Sequence, residues 1–124
     1  MNLNHDQLTE ERMSWERCAR QLMLSSSLEL DELSNTIEAI AGNIQLHPAE
    51  TKYRELKQSN KILRSKVLDV PGGAELLLCL GFVVEVCGDV KIYAYRDTET
   101  FHLSNGLVWL RLVELHITDI YILY

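Results

Sequence analysis

Phe82-Val83-Val84-Glu85-Val86-Cys87-Gly88-Asp89-Val90-Lys91-Ile92-Tyr93-Ala94-Tyr95-Arg96 is the stretch on which the fold turns. Two runs of strand-forming residues are separated by Gly88-Asp89, and a two-residue turn needs positive φ, which glycine adopts cheaply. The stretch therefore reads as a β-hairpin. Alternation along the second run places Val90, Ile92 and Ala94 on one face and Lys91, Tyr93 and Tyr95 on the other, and the aliphatic face is expected to meet the core. Just upstream, Ala74 to Leu80 reads as a short buried helix stopped by Gly81. Before it, Val67-Leu68-Asp69-Val70, bounded by Pro71-Gly72-Gly73, suits a short strand. With the hairpin it would give three strands.

Further toward the N-terminus the rhythm is helical. Residues 6–24 carry Leu8, Met13, Trp15, Ala19, Leu22 and Met23 among charged residues, up to a break at Ser25-Ser26-Ser27. Ser26 with Glu29 fits a capping box. A second helix from about Leu28 to Ala41 follows from Leu30, Leu33, Ile37, Ile40 and Ile44 at helical spacing, with Gly42-Asn43 suited to ending it. His47-Pro48-Ala49 reads as a linker into a third helix from Glu50 to about Arg64 or Lys66. Toward the C-terminus, Ser104 is placed to cap a last helix from Asn105 to about His116. The closing octet Ile117 to Tyr124 is unusually apolar and is expected to dock on the sheet, with pairing to another molecule as the alternative.

The 124 residues are 47% hydrophobic and 24% charged, which suits one globular domain. The longest apolar run, Leu76 to Val84, is nine residues, far short of the roughly 20 a membrane-spanning helix needs. The N-terminus has no basic region followed by an apolar stretch, so an intracellular protein is expected. Cys18, Cys79 and Cys87 lack any Cys-x-x-Cys spacing and read as buried, reduced thiols, Cys79 as a small apolar filler. No metal ligand set or cofactor motif is present, and His5, His47, His102 and His116 are scattered. Cys87 and His102 are near in sequence, but no third orienting residue or oxyanion element accompanies them, and no enzyme is expected.

The net charge of −6 hides an asymmetry. Residues 1–50 carry nine acidic and three basic side chains, residues 51–66 one acidic and six basic, and residues 67–124 eight acidic and three basic. Such a basic island attracts an acidic partner, while the acidic flanks repel a long polyanion. Nucleic acid is disfavoured; a single strand stacked on Tyr93 and Tyr95 is the weaker reading of that kind. On one continuous third helix, Tyr53, Leu56, Asn60, Leu63 and Val67 form a stripe, with Arg54, Lys57, Lys61 and Arg64 immediately beside it. Tyr53 and Asn60 then lie where a groove would form: the ring can hold an apolar side chain, and the amide can bond a peptide backbone. The plainer reading has Tyr53 at the core edge, Asn60 capping or bonding a loop, and the cations keeping the helix soluble.

The segment Thr51-Lys52-Tyr53-Arg54-Glu55-Leu56-Lys57-Gln58-Ser59-Asn60, then Val70-Pro71-Gly72-Gly73-Ala74-Glu75-Leu76-Leu77 and Leu80-Gly81-Phe82, resembles a PUB domain, the domain of peptide:N-glycanases and of UBA- or UBX-containing proteins. The Lys-Tyr-Arg entry, the asparagine seven residues after the tyrosine and the Gly-Phe helix end occur in order; His47-Pro48 departs from the Asn-Pro of many relatives. The resemblance implies an α/β (α+β) fold, helices around a small three-stranded antiparallel sheet, with residues 1–27 a helical extension, 28–117 the domain and 118–124 an apolar tail. It implies peptide binding without catalysis: Tyr53, Leu56, Lys57, Asn60, Val70 and Gly72 as the peptide-binding residues and Arg54, Lys61 and Arg64 as a basic rim. The implied partner is the acidic C-terminal tail of the AAA ATPase valosin-containing protein, in ubiquitin-linked, ER-associated protein quality control in the cytoplasm or also the nucleus. The alternatives are a peptide of a deubiquitinating enzyme, or a generic helical adaptor using the Trp15 face.

Overall fold

The boundary between the first two helices is set by one serine. Ser26 is extended at φ −70° and ψ 161°; its Oγ accepts from the Glu29 amide at 3.1 Å, and Glu29 Oε1 accepts from the Ser26 amide at 3.0 Å. This is the reciprocal capping pair the sequence predicts. The structure, a computed structural model, describes the backbone of residues 5–123 and the side chains of residues 14–100 and 103–115. Helix α1 spans His5–Leu22 and α2 Ser27–Leu46. Helix α2 thus runs through Gly42 and past the expected stop. Ile44 is fully buried, and burying it offsets the roughly 1 kcal/mol that an internal glycine costs a helix.

The expected third helix is interrupted. The chain forms α3 (Thr51–Arg54), a short strand β1 (Glu55–Lys57), then α4 (Lys61–Leu63), which widens into a π-helical turn over Arg64–Leu68. Strand pairing decides this. β1 lies antiparallel to β3 with Leu56 opposite Tyr93, and the Tyr95 amide donates to the Arg54 carbonyl at 2.8 Å and the Gln58 amide to the Lys91 carbonyl at 2.9 Å. Asn60 then restarts the helix as its N-cap. The expected strand at Val67 to Val70 is accordingly absent: Val67 and Leu68 belong to the π turn, whose wide closure is seen in the Asp69 amide donating to the Arg64 carbonyl at 2.8 Å.

After α5 (Gly73–Cys79), the Gly81 amide donates to Leu78 and the Phe82 amide to Leu77, with Gly81 at φ +110°. That pair of bonds ends the helix where glycine was expected to. The hairpin of β2 (Val83–Cys87) and β3 (Val90–Ala94) turns at Gly88, φ +63°. The sheet is three-stranded and antiparallel in the order β1-β3-β2. Its third strand is therefore Glu55–Lys57.

The hairpin's alternation is as expected, but both of its faces are covered rather than the aliphatic one alone. Tyr93 and Tyr95, 5% and 0% exposed, join the core cluster, while Val90 is 45% exposed. Two rings bury more apolar area than the aliphatic set, and the Tyr95 hydroxyl finds the Glu99 carbonyl. Ile92 and Ala94 are also buried, on the face where Arg96 bridges Glu55 and Glu85. Buried rings cannot serve as stacking platforms, which removes the single-strand reading that used them.

Helix α6 (Phe101–Leu123) starts before Ser104, which lies inside it. Contacts from Gln45 to Ser104 and from Glu38 to Arg111, at 3.1 and 2.6 Å, run α6 antiparallel to α2. The backbone is helical as far as Leu123; the expected docking of Ile117 to Tyr124 concerns side chains outside the described residues. The core gathers Cys18 and Leu22 of α1, Leu33 and Ile37 of α2, Leu76 and Leu77 of α5, and Leu103 and Leu110 of α6 around the tyrosine face of the sheet. No described helix is long and apolar enough to cross a membrane.

Candidate peptide-binding groove

The interruption of the third helix makes the site. With β1 drawn to the sheet and α4 restarted at Asn60, a groove of about 390 Å³ opens against α2. Thr36 and Ile40 of α2 form one side, Leu56 and Lys57 of β1 another, and Asn60 and Ile62 the third. Ile62 is 62% exposed, an apolar side chain at the mouth of a polar-rimmed cleft. Asn60 Oδ1 accepts from the Leu63 amide at 3.0 Å as the cap of α4. Its acceptor is thereby used, and its Nδ2 hydrogens remain for a ligand.

Of the residues expected to bind peptide, Leu56, Lys57 and Asn60 come together in this lining. Tyr53 stands beside it. Its ring, half-buried against the core, stacks on His47 at 4.9 Å between centroids, and Lys52, which does line the groove, holds its ammonium 5.0 Å from the Tyr53 centroid. Val70 is 5% exposed and lies in the core, and Gly72 packs on α1 at Cys18 and Gln21; neither lines the groove. Thr36, Ile40 and Ile62 are lining residues that the sequence did not single out. Ile40 belongs to the apolar stripe of α2, and only the tertiary packing shows that this residue faces a cleft.

The basic rim divides. Lys61 and Arg64 are exposed on α4 and the turn that continues it, and among the described residues neither they nor Lys57 take part in an ion pair. Arg54 does something else. Its Nε donates to the Pro48 carbonyl at 2.9 Å and its Nη1 to the carbonyls of Asp97 and Tyr95 at 2.7 and 3.3 Å, with the guanidinium 5.5 Å from the Tyr95 ring centroid. It is a staple between the Pro48 turn and the end of β3, because a planar guanidinium can serve several carbonyls at once.

The groove also contains a carboxylate, Glu55. Arg96 occupies it: Nη1 lies 3.0 Å from Glu55 Oε1, while Nη2 and Nε bond the two oxygens of Glu85 at 2.6 and 2.9 Å. The arginine hydrogen bonds first, and its charge second, hold the Glu85 carboxyl below its ordinary range. With Glu55 countered from across the sheet and Lys52 paired to Glu50 at 3.5 Å, the groove keeps the positive character of Lys57, with Lys61 on its rim. Its chemistry suits an apolar side chain in the cleft and a carboxylate at the rim.

The remaining features are occupied by packing. Trp15 meets Trp109 at 4.3 Å between centroids with the rings tilted by 53°, half-buried against the core, so it anchors α1 internally. Cys87 is exposed at the end of β2, in contrast to the expected burial, and the side chain of His102 lies outside the described residues. Among the described residues no three His, Cys, Asp or Glu side chains are grouped to hold a metal.

Residues 28–109 match the PUB domain family, more than half of the chain. The chain belongs to the PUB domain family. It is also 32% identical, over 92 residues, to UBX domain-containing protein 6 of Caenorhabditis elegans, an alignment covering 72% of this chain and 21% of that relative. The chain thus spans about a fifth of the length of the relative it matches. As a PUB domain it is a protein-interaction module, and the groove between α2, β1 and α4 is its candidate peptide site.

Proposed function

We propose that this PUB domain is a non-catalytic adaptor whose groove captures a short acidic C-terminal peptide, the tail of the AAA ATPase valosin-containing protein being the ligand the family implies. The reading rests on one observation above others: the groove's carboxylate, Glu55, is countered by Arg96 at 3.0 Å, while Lys57 and Lys61 stand outside every described ion pair. An apolar residue of the tail would enter between Ile40 and Leu56, its backbone would accept from Asn60 Nδ2, and its carboxylates would meet the lysines. Tyr53 and Lys52 form the adjoining wall. Such an adaptor serves ubiquitin-linked protein quality control, including the ER-associated branch, in the cytoplasm or also in the nucleus.

A fluorescence-anisotropy titration with the labelled tail peptide tests this, beside the substitution Asn60→Asp. Aspartate keeps the oxygen that caps α4 and replaces the amide donors by negative charge. The expected result is saturable binding that Asn60→Asp abolishes while the melting temperature is unchanged. Equal binding by both proteins would overturn the groove assignment. No binding by the folded wild type, with binding of a deubiquitinase peptide instead, would keep the groove and replace the partner.

A further inference from the structure

Away from the groove, the seam between α1 and α5 brings two of the three cysteines together. Cys18 is fully buried on α1, its Sγ donates to the Gly72 carbonyl at 3.5 Å, and the neighbouring Cys79 is the leading cause of the upward push on its thiol. Cys79, the last residue of α5, is half-buried. It lines a cleft of about 310 Å³ whose α1 wall is Ser14, Arg17 and Gln21, the residues flanking Cys18 on its helix face, and whose α5 wall includes Glu75 and Leu78. One thiol is therefore reachable from the cleft, and the other is buried on the helix that forms the opposite wall. The third, Cys87, is exposed on the hairpin.

We propose that Cys18 and Cys79 form a reversible dithiol–disulfide site that responds to a two-electron oxidant of the peroxide class. Hydrogen peroxide, entering through the cleft, oxidises the Cys79 thiol to a sulfenic acid and is itself reduced to water. The Cys18 sulfur then attacks the Cys79 sulfur; the S–OH bond breaks, the Cys18 proton leaves with the hydroxide as a second water, and the disulfide closes. Two thiols lose two electrons in all, and the peroxide takes them. The order follows from access: Cys79 lines the cleft through which the peroxide enters, whereas Cys18 is fully buried and meets only the sulfur beside it.

The bond would tie α1, which precedes the family match at residue 28, to α5 inside it. Cys18 and Cys79 are 61 positions apart, so the cross-link would restrict the unfolded chain substantially. The oxidised protein is expected to melt roughly 5–10 °C higher than the reduced one.

The test uses the whole chain carrying Cys87→Ser, which leaves the seam intact. Folded protein is treated with hydrogen peroxide, remaining thiols are alkylated, and unreduced peptides are mapped by mass spectrometry. The expected result is a Cys18–Cys79 linked peptide that dithiothreitol reverses. In the native sequence with Cys87 present, the folded protein gives the same link, whereas in concentrated urea Cys79–Cys87 takes over, being only 8 positions apart. Sulfinic acid on Cys79 with Cys18 unmodified, or a Cys79–Cys87 link from the folded native sequence, would overturn the proposal. Peptide binding plays no part in the readout, so failure of the groove assignment leaves this result standing, and the reverse.

Discussion

The two flanks of this domain are built on opposite terms. Around the start of α5, backbone meets backbone: a Cβ on Gly72, at φ +83°, would come within 3.0 Å of the Cys18 oxygen of α1, and one on Gly73 within 1.7 Å of the Val67 carbonyl oxygen, where α5 meets the π turn. At the groove, the chain passes through α3, β1, α4 and a π turn between Thr51 and Leu68, none longer than 5 residues. Elements that short have no stability of their own; they are fixed by neighbours and leave Lys57, Asn60 and Ile62 at the surface. The difference teaches where each kind of function resides. Regular helices carry the stability, and the irregular passage between them carries the recognition. Substitutions should therefore separate cleanly into those that move the melting curve and those that move the binding curve.

The sharpest break is Gly73→Ala. The added methyl meets a backbone oxygen, which cannot swing aside as a side-chain tip can, so the loss should be about 3 kcal/mol or more in urea denaturation. A loss below about 1 kcal/mol would mean that the π turn relaxes, and the packing at the start of α5 would be softer than the contrast requires. Next in size is Arg54→Ala. Removing charge-assisted bonds to three carbonyls from a half-exposed side chain should cost about 1–2 kcal/mol, with Arg54→Lys rescuing little because a point charge lacks the fork. Were Arg54 a rim residue instead, the same substitution would lower peptide affinity and leave the melting curve in place.

How far these assignments could be read from the chain depends on the range of the forces behind them. Ser26 with Glu29, Gly81 after Leu80 and Gly88-Asp89 act over a few residues, and each does in the structure what its local chemistry demands. Tyr53, Leu56, Leu63 and Val67 are spaced as on one helix, yet Leu56 faces inward because β1 pairs with β3, which places it opposite Tyr93, 37 positions away. A wheel cannot distinguish one helix from two helices flanking a strand. The groove shows the same split. Leu56, Lys57 and Asn60 are contiguous and recognisable, whereas Thr36 and Ile40 arrive from another helix. Nothing near Arg54 or Glu55 in sequence discloses that one is a staple and the other is countered by Arg96. The hairpin has a related lesson: alternation defines two faces, and only the assembled core shows that the tyrosines join the main cluster while Ile92 and Ala94 are buried on the other side.

A smaller effect sharpens the groove side. Lys57→Ala and Lys61→Ala remove side chains with no described ion pair, so stability should hold within about 0.5 kcal/mol. Affinity for an acidic peptide should fall about two- to fivefold for each at low salt, and the difference should shrink as salt rises. Salt-independent losses would point to contacts other than charge. A joint loss of stability would mean that the lysines belong to the scaffold.

The smallest effect tests the link between the two regimes, since Arg96 touches no part of the groove's cations yet governs its carboxylate. Glu85 is held below its ordinary range in the folded protein by Arg96. A depressed folded value contributes stability that is fully present above the unfolded value, about 4.3, and is lost as pH falls through the folded one. The stability difference between wild type and Arg96→Ala should therefore be level from neutral pH to about pH 5 and close as the pH drops below about 4. At neutral pH the same substitution releases Glu55 into the groove, and acidic-peptide affinity should weaken about twofold. Adding Glu55→Gln to Arg96→Ala should restore it, because the residue at fault is then neutral. If the double variant binds no better than Arg96→Ala, the arginine acts on the peptide by some route other than Glu55, and the groove's charge is set by its lysines alone.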